Sequence, residues 1–503
     1  MSRTKKFFYN SMTTAFYQII IMIAGFITPR IMLKYYGSEI NGLVSSINQF
    51  IVYFNLVEAG LSGAAIYALY KPLAENNHKA INSIVSAAKK FYTQSGYIFL
   101  SLTVGLAVFY PYFVKTSILT PFYVGVLVLI LGVNGALEFF TLSKYRVLLS
   151  ADQKTYVISI ASMVHIIVNT IVVLMLGTMR VNIVILRLVA LLSIFLRSLI
   201  LIIYVKMKYK YINYKEEPDT KALNKRWDAL YLQILGAVHK GAPVIILTLV
   251  TKNLMLVSVY TVFNTVLSSI NGILSIFKSG LSASFGDVIA RGESKVLQRS
   301  YNEFESLYYT LITVVYSIAF ITIMPFVRIY TSGVKDINYD VPLLGFLFVL
   351  NGLMYNLKTP QGMLVISAGM FKETRFQTTI QGAITIILGL VLSPFIGIYG
   401  VLLASILSDL YRDIDLLFFI PYNLTKLPVI KTAKRMFLVG LSVVLICLPF
   451  VYINIDPKNY IQWALIAIPV GIYACIVVGI MSFLFERETF KGTFNRLVGL
   501  VKR

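Results

Sequence analysis

The sequence is poor in the residues that redox, metal and acid–base chemistry draw on. Its 503 residues include two cysteines and three histidines. Cys447 and Cys475 both fall inside apolar runs, so they read as small hydrophobes, not as a disulfide or a zinc pair. No glycine-rich phosphate loop, metal-ligand spacing or nucleophile–base set is present. ATP hydrolysis and covalent catalysis are therefore not expected of this chain, and no cofactor is expected. Charge is scarce as well: 13% of residues, with 22 acidic against 45 basic.

What fills the sequence is apolar. Hydrophobic residues make up 57%, and the mean hydropathy is +0.77. A soluble chain of that composition could not cover its own surface, which places it among polytopic membrane proteins. The apolar runs are long and continuous, unlike the alternating ten-residue segments of a membrane barrel. The fold class is therefore all-α. Fourteen spans are expected, near 8–33, 40–69, 83–110, 121–143, 155–177, 182–205, 229–251, 255–289, 307–330, 341–366, 376–395, 398–420, 436–454 and 461–485. The first is read as a retained helix, since its run is too long for a signal peptide and no cleavage site follows.

The net charge of +23 suggests nucleic acid, but the positions of the charges argue against it. Lysine and arginine cluster between apolar runs on alternate sides, with a bias of about four to one toward one side. That side is the cytoplasm by the positive-inside rule, and an even span count puts both termini there. The most basic loop, 206–228, contains Lys206, Lys208, Lys210, Lys215, Lys221, Lys225 and Arg226. It reads as a solvated anchor on an anionic leaflet, with Trp227 at the headgroup level.

The chain also echoes itself. Leu43 begins L-V-S-S-I-N-Q-F and Val266 begins V-L-S-S-I-N-G-I, with Asn48 and Asn271 in register. Glu58-Ala59-Gly60-Leu61-Ser62 is answered by Lys278-Ser279-Gly280-Leu281-Ser282. Asn134-Gly135 and Ser150-Ala151 are answered by Asn351-Gly352 and Ser367-Ala368, and Leu196-Arg197 by Tyr411-Arg412. Four echoes in one order at nearly one offset indicate an internal duplication. Six spans per half preserve orientation, so the repeats are expected to be parallel. The division is then an N-terminal lobe at 1–205, a basic linker at 206–228, a C-terminal lobe at 229–421, and two added spans with a tail at 422–503.

After the first span the chain reads Pro29-Arg30-Ile31-Met32-Leu33-Lys34-Tyr35-Tyr36-Gly37-Ser38-Glu39-Ile40-Asn41-Gly42-Leu43. A basic residue followed by Gly-x-Glu-x-x-Gly-Leu, then Glu58-Ala59-Gly60-Leu61 late in span two, resembles the polysaccharide (Wzx-type) flippases of the MOP exporter superfamily. The plan of six, six and two spans resembles them too. The resemblance implies two six-helix lobes around a central cavity in a bacterial cytoplasmic membrane. It implies a polyprenyl-diphosphate-linked oligosaccharide as cargo, flipped by alternating access, and a polysaccharide polymerase as a possible partner. Two alternatives stay open: a MATE-type multidrug or cation antiporter, and a peptidoglycan-precursor lipid flippase.

Charge inside the spans marks candidate sites, because it is costly in hydrocarbon and faces water or a partner. Lys240, Lys278 and Lys358 lie deep in their spans and could meet a diphosphate in the cavity. Each could instead serve a structural partner. Gly241 and Pro243 can open or kink the helix at Lys240. Asn48 and Asn271 belong to polar stripes that suit sugar recognition or helix packing. Arg30 and Arg187 are expected to snorkel, and His165 to be a hydrogen-bonded core residue. Asp409, Arg412, Asp413 and Asp415 suit local ion pairing, and Arg197 has no such neighbours. Glu138 is a buried carboxylate that could hold a proton or cation. Glu58 and Lys278 occupy equivalent repeat positions with opposite charge, which suggests a gate pair.

Overall fold

A computed structural model describes residues 3–220, 226–279, 281–453 and 455–487, with backbone alone at 3–8, 226–233, 238, 276, 278, 279 and 283. Every regular element among the described residues is helical. Among the described residues ten helices are long and apolar enough to cross a membrane, against fourteen expected spans. Tyr9–Ala74, 66 residues, covers both of the first two expected spans. Expected span 341–366 is broken at Lys358 and 398–420 carries several charges, while part of 229–251 lies outside the residues whose side chains are described.

The chain divides into two compact units, Met1–Thr261 and Val262–Arg503. The first contains α1 (Arg3–Phe54), a 3₁₀ turn (Asn55–Glu58), α2 (Leu61–Ala74), α3 (His78–Phe113), α4 (Pro121–Thr141), α5 (Ser143–Ala151), α6 (Thr155–Thr178), α7 (Ile183–Leu191), α8 (Ser193–Lys208), α9 (Arg226–Ile246) and a π-helical turn (Leu247–Thr251). The first two turns of α10 (Leu254–Ser279) also belong to it. The expected division at 206–228 concerns the repeats and stays an expectation; in these packing units α9 lies against α1. A Cβ at Gly241 would stand 2.2 Å from Gln49 Nε2 and 2.7 Å from the Tyr53 ring. Only glycine allows that approach. The helix runs unbroken through Pro243, and the irregularity comes after it, in the π turn.

Local signals explain the helix ends. Gly37 takes φ 82° inside α1 and bends it between the first two expected spans. Asn77 and Asn182 cap α3 and α7, accepting from Ala80 N at 3.1 Å and Val184 N at 2.9 Å. The core of this unit is aliphatic and aromatic, with Leu43, Ile47, Phe99, Leu127, Leu148 and Leu201 fully enclosed.

The second unit continues with α11 (Leu281–Ala290), α12 (Ser294–Tyr330), α13 (Pro342–Leu357), α14 (Thr359–Ser367), α15 (Arg375–Ile396), α16 (Ile398–Ile420), a π turn (Pro421–Thr425), α17 (Val429–Cys447) and α18 (Tyr460–Phe485). The duplication leaves a local mark here. α4 and α13 each start on a proline, Pro121 and Pro342. α4 breaks from α5 at Leu142, and α13 breaks from α14 at Lys358, 216 residues later.

The two added helices pack on this unit. α17 and α18 both lie along α12 and against each other. The start of α17 and the end of α18 are fastened by Arg435, whose side chain is 3% exposed. It reaches Glu305 Oε2 at 2.7 Å, Glu486 Oε1 at 2.6 Å and Asn302 Oδ1 at 2.9 Å. Thr432 and Tyr301 also donate to Glu305, at 2.9 and 2.8 Å. A polar cavity of about 40 Å³ adjoins it, lined by Ser306, Tyr309, Thr313, Ser442 and Ser482 among others.

Candidate functional site

Polar chemistry gathers at one place in each unit and at a seam inside the first. In the first unit the centre is Glu138 on α4. α4 stops at Thr141, and the break at Leu142 lets α5 fold back. Arg146 thereby reaches Glu138 Oε1 at 2.8 Å across eight residues, a spacing an unbroken helix does not bring together. Arg197 of α8 reaches the same oxygen at 3.1 Å. Glu138 and Arg146 are each about one-third exposed, at 34% and 37%. Half-buried Glu58, in the 3₁₀ turn, feels the charges of both. Glu138, a carboxylate that could hold a proton or cation, is thus shared by two guanidinium groups. Arg197, expected to lack local partners, finds one on another helix. His165 Nδ1 lies 3.0 Å from Ser193 Oγ, as a hydrogen-bonded core histidine should.

The seam joins α1 to α9 and the start of α10. Asn41 Nδ2 donates to Ser258 Oγ at 2.8 Å, both buried. Ser46 Oγ accepts from Tyr110 at 2.8 Å and lies 2.9 Å from Thr248 Oγ1. Gly42 sits directly under the Leu254 carbonyl, where a Cβ would come within 1.8 Å of the oxygen.

Below the seam the start of the basic linker is strapped down. Asn82 donates to Tyr211 O and accepts from Asn213 N, each at 3.0 Å. Tyr209 donates to Asp152 at 2.6 Å, and burial beside that carboxylate holds its phenol well above the usual range. Lys144 sits 5.0 Å from the Tyr145 ring and 5.3 Å from the Tyr214 ring. Burial there, with Lys89 nearby, pulls its ammonium below the usual range.

In the second unit the centre is Lys358. Its ammonium pairs with Asp409 of α16, which also accepts from Gln381 of α15 at 3.0 Å. Arg412 pairs with Asp415 at 2.5 Å. Asp413 is 3% exposed, and neither of its carboxylate oxygens meets a well-formed hydrogen bond among the described residues. Asn271 accepts from Asn356 at 2.7 Å, and Asn356 in turn joins Tyr308 and Tyr316.

The sequence-predicted residues therefore separate. Lys358 pairs with Asp409, and Asn271 joins an amide–phenol network with Asn356 and Tyr316; whether either meets cargo stays an expectation. Asn48 and Lys240 are exposed. The Lys278 side chain lies outside the described residues, as do Trp227 and Lys221 and Lys225 of the linker, so the gate pair with Glu58 stays an expectation. Arg30 and Arg187 each bury a guanidinium nitrogen, Nη1 and Nε, that makes no hydrogen bond of its own, which is more burial than snorkelling implies. Sequence reasoning missed Arg146 and Arg435, which sit just outside their apolar runs and look like ordinary topogenic charges. It also missed Glu305, which lies within α12.

No protein-family model matches the chain, and no curated protein matches its sequence. Solved structures do match, a lipid II flippase and MATE transporters among them. The chain is similar to lipid II flippase MurJ in an inward closed conformation, with a TM-score of 0.67, 17% identity, and coverage of 95% of this chain and 99% of that one. It is similar to an inward-facing multidrug resistance MATE family transporter of the MOP superfamily, with a TM-score of 0.65, 11% identity, and coverage of 86% and 98%. A eukaryotic MATE transporter matches with a TM-score of 0.58, 15% identity, and coverage of 87% and 98%. At these identities the likeness is one of fold.

Proposed function

We propose that this chain is a membrane transporter that flips a polyprenyl-diphosphate-linked oligosaccharide across the cytoplasmic membrane of a bacterium. The cargo would serve surface polysaccharide export, and both termini would lie in the cytoplasm. The two six-span repeats would act as parallel lobes that open alternately to either side. The cargo contacts we favour are exposed Lys240 and Asn48, together with Lys278, and Glu58 and Lys278 would form the inner gate pair.

The observation that carries a lipid-linked cargo is the α17–α18 pair. It is added beyond the duplication and docked onto α12 through Arg435. The outer face of α18 is an apolar stripe of Ile461, Leu465, Ile468, Ile472, Ile476 and Ile480. A polyprenyl tail could lie along such a stripe in the bilayer. The likeness to a lipid II flippase covers 95% of the chain, and the likeness to a MATE transporter covers 86%. That difference is in keeping with an addition that a drug exporter does not need. It also supports a second reading, a peptidoglycan-precursor flippase.

The test is reconstitution of the full chain into vesicles with three cargoes: a fluorescent polyprenyl-diphosphate oligosaccharide, lipid II and a cationic dye. Movement of the first to the opposite leaflet is the expected result. Movement of lipid II alone would make the chain a peptidoglycan-precursor flippase. Movement of the dye alone would make it an antiporter.

A further inference from the structure

The second unit holds a charge imbalance inside a spanning helix. Asp409 and Asp413 are one turn apart on α16, and they are 1% and 3% exposed. One ammonium, Lys358, serves both, and its side chain is 12% exposed. Lys358 is committed to Asp409. Neither buried oxygen of Asp413 meets a well-formed hydrogen bond among the described residues, and the one donor that acts on the carboxylate is the Lys358 backbone N–H.

Among the described residues the surroundings offer no other counter-charge. α12 presents the Tyr309 phenol, which feels the Asp413 charge but donates its proton to Leu357 O. α15 presents Gln381, whose amide is spent on Asp409. α14 presents Gln361, whose amide goes to Glu305 and Tyr309. On α16 itself Arg412 is engaged by Asp415. Arg435 of α17 is held by Glu305 and Glu486. An ionised, unpaired carboxylate in such a place costs several kcal/mol. Two carboxylates that share one site cannot both ionise cheaply.

The position of Lys358 adds a consequence. It is the joint between α13 and α14, the C-cap of one helix and the N-cap of the other. At the equivalent joint of the first repeat stands Leu142, which carries no charge. Only at the second joint is the joint residue itself a partner in an ion pair.

We infer that Asp413 is a proton-binding site, and that Lys358, Asp409 and Asp413 form a proton-linked hinge at the α13–α14 joint. A proton from water adds to one Asp413 oxygen, which forms an O–H bond and leaves the triad neutral. When the proton returns to water, the triad gains a negative charge and Lys358 divides its attraction between the two carboxylates. The joint then loosens from its Asp409 anchor. No electrons move and no other reactant is needed. The inference deepens the transporter reading by naming the proton as its coupling ion, yet the site can be tested without any cargo.

The experiment is infrared difference spectroscopy of the purified full chain in lipid nanodiscs during a pH titration, with no cargo present. The expected result is a carbonyl stretch of a protonated carboxylic acid that vanishes as pH rises, is absent in Asp413→Asn and persists in Asp415→Asn. Lys358→Gln is expected to move the titration upward by about 1–3 pH units, because the shared cation is gone. A wild-type protein without the band, or a band unchanged in Asp413→Asn, would overturn the site. A titration indifferent to Lys358→Gln would overturn the hinge. A normal band in a protein that moves no oligosaccharide-lipid would leave the site standing and refute the proposed cargo instead.

Discussion

Asn41 and Ser258 hold each other by a 2.8 Å hydrogen bond, and they are 217 residues apart, the offset that separates Asn134 from Asn351. The same seam brings Gly42 under the Leu254 carbonyl with no room for a Cβ. Gly42→Val should force α1 away from the start of α10. The expected cost to this packing is about 1–3 kcal/mol, the usual penalty of overpacking. Cysteines placed at Asn41 or Ser258 should then label faster with a membrane-impermeant thiol reagent. Equal labelling rates with and without the valine would show that the seam is not under steric control.

Arg435 is the fastening of α17 and α18. Arg435→Ala leaves Glu305 and Glu486 without their cation, and removal of one partner from a buried pair costs about 3–5 kcal/mol. A thermal melt in detergent should fall accordingly. The double replacement Arg435→Met with Glu305→Gln should recover part of the loss. A melting temperature indifferent to Arg435→Ala would place the anchor elsewhere.

The first-unit cluster predicts a different pattern. Glu138 neutralises two guanidinium groups, so Glu138→Gln should impair transport more than either Arg146→Gln or Arg197→Gln. The pairs share one oxygen, so their effects should not add. Double-mutant cycles on export at equal protein level provide the check. Additive effects would mean that the two arginines act apart.

How much of this was legible in the sequence differs by residue. The helices were, because apolar runs of this length have one stable form in a membrane. The predicted limits 155–177 and 461–485 lie within one residue of α6 and α18 at each end. The hinge glycine, Gly37, was visible in its motif. The partners were not. Glu138 meets Arg146 only because the helix breaks at Leu142, and no residue type announces that break. Lys358 meets Asp409 across 51 residues, so a reading limited to helix spacing saw a lone lysine. The packing of α9 on α1 through Gly241 was hidden for the same reason, being a contact between helices remote in sequence.

Lys240 and Lys358 were alike as sequence and are unlike as structure, and that difference gives the last prediction. Lys240 is exposed on α9, so its replacement removes no internal contact. Lys240→Ala should leave the melting temperature unchanged. If the lysine meets a diphosphate, the same variant should slow transport of the lipid-linked oligosaccharide. Lys358→Ala deprives two buried carboxylates of their cation, and it should lower the melting temperature before any effect on cargo is read. Adding Asp409→Asn should restore stability, because it removes the charge that the lysine served. Transport need not return with it, since the joint between α13 and α14 stays untied. The two lysines are thus separable by one pair of measurements, stability and flux. A stable, inactive Lys358→Ala protein would return that residue to the cargo path. An unstable Lys240→Ala protein would take Lys240 off it.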